Sequence, residues 1–67
     1  MDQMLLMRLR DCAESTARGY IDHGFPEKMH KLEGMGYVVK TGKGYKTTRS
    51  GEEFLESDEG KAQLRKL

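Results

Sequence analysis

The segment 34–55, GMGYVVKTGKGYKTTRSGEEFL, constrains this chain more than any other part of it. Tyr37-Val38-Val39-Lys40 is rich in β-branched and aromatic residues and reads as a strand. In Thr41-Gly42-Lys43-Gly44, two glycines flanking a lysine permit a tight hairpin. Tyr45-Lys46-Thr47-Thr48 returns as the second strand. Alternation predicts that Tyr37 and Val39, with Tyr45 and Thr47, share the inward face and leave Lys40 and Lys46 toward water. Ser50 followed by Glu53 matches a capping box, and Phe54-Leu55 supply the apolar anchor of a closing helix.

The remainder supplies helices. Leu5, Leu9, Cys12, Thr16 and Tyr20 recur at helical spacing, and Leu6, Ala13 and Ala17 broaden the stripe. One helix over residues 2–18 is expected, in preference to a break near residues 14–16, because Ala13, Glu14 and Ala17 propagate a helix well. Asp22-His23-Gly24 reads as a connection, with Gly24 suited to positive φ. Pro26 fits a first helical turn, Phe25, Met29 and Leu32 form an apolar stripe, and Gly34 and Gly36 stop that helix. Asp58, Glu59 and Gly60 interrupt any stripe linking Leu55 to Ala62 and Leu64. The expected organisation is therefore one domain over residues 1–57 and a short charged tail or frayed helix over 58–67. The fold class is α+β, mostly α.

Sixty-seven residues, 36% of them hydrophobic, allow one thin core. Cys12 is the only cysteine, which rules out an internal disulfide and fits a reducing cytosol. No apolar run approaches the roughly 18 residues of a membrane span, so a soluble, cytoplasmic protein without a membrane partner is expected. The net charge of +1 hides a local polarity. Between Gly34 and Gly51 there is no acid, and Lys40, Lys43, Lys46 and Arg49 are all positive; Glu52, Glu53, Glu56, Asp58 and Glu59 follow at once.

From Phe25 onward the sequence resembles the second half of a winged helix-turn-helix DNA-binding domain. The matching residues are Leu32, Gly36-Tyr37-Val38, Tyr45-Lys46-Thr47-Thr48-Arg49-Ser50-Gly51 and Glu53-Phe54-Leu55. The resemblance implies a small winged-helix-like domain whose β-hairpin is the wing. It also implies double-stranded DNA as partner, with Lys28, His30 and Lys31 on the groove-facing helix. Lys40, Lys43, Lys46 and Arg49 would meet phosphates, which supply affinity rather than sequence choice. A regulator of transcription or of a mobile element is the corresponding function. The rival is a winged-helix module that binds proteins through its charged surfaces.

Other chemistries fit poorly. Cys12, His23 and His30 match no common zinc spacing, and Cys12 on an apolar stripe makes no Cys–His nucleophile. The glycines around Lys43 lack the spacing and the Ser or Thr of a phosphate-binding loop. A non-enzyme without metal or cofactor is expected. Met4, Leu5, Leu6 and Met7 exceed what one small core can absorb, which points to a homodimer through the N-terminal helix.

Overall fold

The computed structural model describes residues 1–67 as four helices and one antiparallel hairpin, a small, mostly α, α+β fold. Helix α1 (Gln3–Ala17) is unbroken, as its stripe predicts. The Asp2 carboxylate accepts from the Met4 N–H at 2.7 Å and starts it; Gly19, at φ +82°, turns the chain away from its end. Its buried face carries Leu5, Leu6, Leu9 and Cys12. No helix is long and apolar enough to cross a membrane.

Between α1 and α2 (Pro26–Gly34), Asp22 forms an isolated antiparallel bridge with Tyr45. The positive φ expected at Gly24 falls on Phe25 instead, at +53°. Gly24 is held by its N–H, which donates to the Asp22 carboxylate at 3.0 Å, so the reversal moves on one residue. A bulky residue in this region is strained. The Arg8 guanidinium lies 4.1 Å from the centre of the Phe25 ring and offsets part of that cost.

Strands β1 (Val38–Thr41) and β2 (Gly44–Thr47) pair as Val38↔Thr47, Val39↔Lys46, Lys40↔Tyr45 and Thr41↔Gly44. Gly42 has φ +61° at the first position of the two-residue turn, the pattern of a II′ hairpin. Tyr45 and Thr47 face inward as expected, but their same-face partner on β1 is Val38, and Val39 lies outside with Lys46. Tyr37 precedes the strand. Its N–H donates to Leu32 O at 3.1 Å and its carbonyl accepts from Thr48 N–H at 3.0 Å, which fixes the alternation one residue later. The core joins Leu5, Leu9 and Cys12 to Met29, Leu32, Val38 and Tyr45, with Tyr37, Phe54 and Leu55 packed against it.

Helix α3 (Arg49–Glu56) is capped by Thr48, not Ser50. The Thr48 hydroxyl donates to Gly36 O at 2.6 Å and accepts from Gly51 N–H at 3.1 Å, leaving Ser50 inside the helix. Residues after Ser57 form a separate helix, α4 (Asp58–Leu64). Ser57 repeats the device: its hydroxyl donates to Phe54 O at 2.6 Å and accepts from Gly60 N–H at 3.0 Å. Gly51 and Gly60 are buried, and a Cβ on either would overlap the carbonyl oxygen of Tyr37 or Phe54 respectively.

These contacts reverse the usual helix rule. Gly34→Ala, whose Cβ meets nothing within 4 Å, should stabilise the fold by a few tenths to about 1 kcal/mol. Gly51→Ala and Gly60→Ala should each destabilise it by about 2 kcal/mol or more despite better helix propensity. Urea unfolding would read all three, and equal stabilisation would contradict the packing. Thr47 is buried with its hydroxyl oxygen unpartnered. The same measurement should show Thr47→Val gaining about 1 kcal/mol, since the isosteric methyl avoids burying an unpaired hydroxyl.

Candidate nucleic-acid interface

The hairpin carries Lys40, Lys43 and Lys46, all exposed but not on one face. Lys43 stands at the turn. Lys46 shares the outer face with Val39, which is 41% exposed, whereas Lys40 lies across from Tyr45 on the inner-face register, at the open edge of β1. No lysine of the chain enters an ion pair; the four pairs are Arg8–Asp11, Arg10–Asp11, His30–Glu33 and Arg49–Glu53. Three unpaired ammonium groups within one short hairpin keep their full positive potential for an anionic partner.

The helix α2 group differs. Lys31 and His30 are exposed and Lys28 is half-buried. His30 Nδ1 lies 3.5 Å from the Glu33 carboxylate, so this face carries an acid beside its imidazole. Arg49 opens α3, with its Nε 3.5 Å from Glu53. Of the sequence-derived candidates, Lys40, Lys43 and Lys46 are therefore joined by one element, Lys28, His30 and Lys31 by another, and Arg49 is partly neutralised.

Asp22 brings an unforeseen neighbour to the hairpin. Its N–H donates to Tyr45 O at 3.0 Å and Tyr45 N–H donates to Asp22 O at 2.8 Å, laying residues 21–23 alongside β2. The Ile21 side chain and the Asp22 carbonyl occupy the space above Gly44 that a Cβ there would need, and the His23 ring borders it. His23 is exposed beside the turn. Nothing local in the sequence marks this pairing, because it depends on a contact with a strand formed much later in the chain.

Two other features bear on chemistry. An open groove between α1 and α3 is lined by Ala13, Ala17 and Leu55 together with Arg49, Glu52, Glu53 and Glu56. No three His, Cys, Asp or Glu side chains come together to hold a metal ion. Cys12 is fully buried, and its thiol is pushed up to about 11, chiefly by burial and then by the Asp22 carboxylate, against a lowering influence of the nearby Thr16 hydroxyl. No protein-family model, curated protein or solved structure matches the chain.

The Cys12 shift predicts an alkaline weakness. The folded thiol keeps its proton longer than the unfolded one, so its contribution is complete below pH 9 and is lost as pH rises from 9 through about 11. Two units correspond to at most roughly 2–3 kcal/mol. Thermal unfolding should show the wild type losing stability over this range more steeply than Cys12→Ala. Parallel profiles would exclude the thiol as the cause. Native Cys12 should also resist iodoacetamide at neutral pH and react readily in urea.

Proposed function

We propose that this chain binds double-stranded DNA as a small winged-helix-like regulator of transcription or of a mobile element, with the hairpin as its wing. One observation carries the reading: Lys40, Lys43 and Lys46 are exposed, unpaired and free of any acid in the surrounding segment 34–51. Such a group releases counterions from a duplex without needing a base contact. The α2 side chains, exposed His30 and Lys31 with half-buried Lys28, then address the major groove, where lysine meets guanine acceptors. Arg49 adds less, since Glu53 already draws on its charge. Met1 and Met4, 38% and 50% exposed on or beside α1, support a homodimer joined through that helix. No catalytic step belongs to this function.

A protein-binding role has its own supporting observation in the α1–α3 groove, whose apolar floor and carboxylates suit a basic segment of another chain. Fluorescence anisotropy with a labelled mixed-sequence duplex separates the two. If the wing neutralises three phosphates, log affinity should fall with log salt at a slope near −2.7, at roughly −0.9 per phosphate. Replacing Lys40, Lys43 and Lys46 together by Glu should abolish binding and leave the circular dichroism unchanged. Absence of duplex binding by the wild type at low salt would remove DNA as the partner. Sedimentation of the complex would read two chains per duplex for the dimer.

A further inference from the structure

The two faces of the hairpin differ in what can reach them. The inner face is closed: Val38 and Tyr45 are 2% and 7% exposed in the core beneath α1 and α2. At its margin Lys40 and Asp22 flank Tyr45 from opposite strands. The outer face carries exposed Lys46 and Val39, half-buried Thr41 and, beneath the neighbouring segment, buried Gly44. The Asp22 bridge adds Ile21 and His23 to it, seated over Gly44. No carboxylate belongs to this outer set. Gly44 matters here for its missing side chain, because any Cβ would overlap the Ile21 side chain and the Asp22 carbonyl and press on the His23 ring at 3.1 Å.

We infer that His23 is a phosphate-contacting residue on the outer face of the wing, acting with Lys43 and Lys46. This rests on the duplex-binding reading above and adds a residue that no local motif selects. Even the neutral imidazole presents one ring N–H to a phosphate oxygen, and His23 enters no ion pair or side-chain hydrogen bond within the chain that would compete. Its position beside the turn lines it up with Lys43 at the tip and Lys46 on the same face.

The test is duplex anisotropy over a salt series on the full chain, with circular dichroism confirming that each variant folds. His23→Ala should weaken binding by about 3- to 10-fold, the value of one hydrogen bond. His23→Lys should tighten binding at low salt and steepen the log–log salt slope by about 0.9, the signature of one more neutralised phosphate. A residue with only a structural role would not move that slope. If the wild type binds and Lys46→Glu weakens it while both His23 variants match the wild type in affinity and slope, the His23 assignment is overturned and the duplex reading stands. If the wild type binds no duplex at low salt, both fall together.

Discussion

Strand β2 is held on both edges, and the rest of the molecule depends on that. A lone two-stranded hairpin is marginal in water. Here β1 occupies one edge of β2, and the outward N–H groups of the other edge also find acceptors. Tyr45 N–H donates to Asp22 O at 2.8 Å, and Thr47 N–H donates to the Thr16 hydroxyl at 3.0 Å. Thr16 can accept because its own proton is donated to Cys12 O, one helical turn back, at 2.9 Å. Helix α1 thus acts both as an apolar wall and as a substitute strand. Tyr45 is fixed against α1 as a result, with the Cys12 thiol donating to its carbonyl at 3.7 Å, and the lysines on either side of it stand on a framed ribbon.

The base of the hairpin is joined to the C-terminal helices by one device used twice. Thr48 and Ser57 each donate to a carbonyl of the preceding segment while accepting from a glycine N–H three residues ahead. Each glycine would cost about 1 kcal/mol in an ordinary helix. In these two places it lets one backbone rest directly on another, with Gly51 against Tyr37 and Gly60 against Phe54. The Tyr37 and Phe54 rings stack at 5.1 Å over the first of these contacts and close the gap between β1 and α3. The exit from α2, the start of β1 and the start of α3 therefore behave as a single junction.

Much of this was legible because it is local. The α1 stripe, Pro26 at the head of α2 and the glycine turn each announce an element within a few residues of themselves. What escaped depends on distant partners. The inward residue of β1 is Val38 because Tyr37 is spent on joining Leu32 to Thr48, and a one-residue offset flips every side chain of a strand. Ser50 and Glu53 have a capping pattern, yet Thr48 wins since its hydroxyl also reaches Gly36 O. Gly24 offered conformational freedom that the chain used at Phe25 instead, once the Asp22 carboxylate had engaged Gly24. The same carboxylate position, set by the bridge to Tyr45, is what raises the Cys12 thiol beyond the effect of burial alone.

For the candidate interface the lysines are readable as residue types, but their directions are not. Strand alternation sends Lys40 and Lys46 to opposite faces, so a basic run in the sequence becomes one open cationic face and one cation at the rim of the core. Under the duplex reading this limits what the wing can do. Phosphates repeat regardless of sequence, and the outer face presents ammonium groups, an imidazole and short aliphatic side chains with none of the paired donor and acceptor geometry that distinguishes bases. Choice of sequence would then fall to α2, whose exposed side chains are few and whose His30 is already engaged by Glu33. On that reading such a protein would hold a duplex more firmly than it reads one, and doubling the α2 contacts through a second copy on α1 would be the direct route to discrimination.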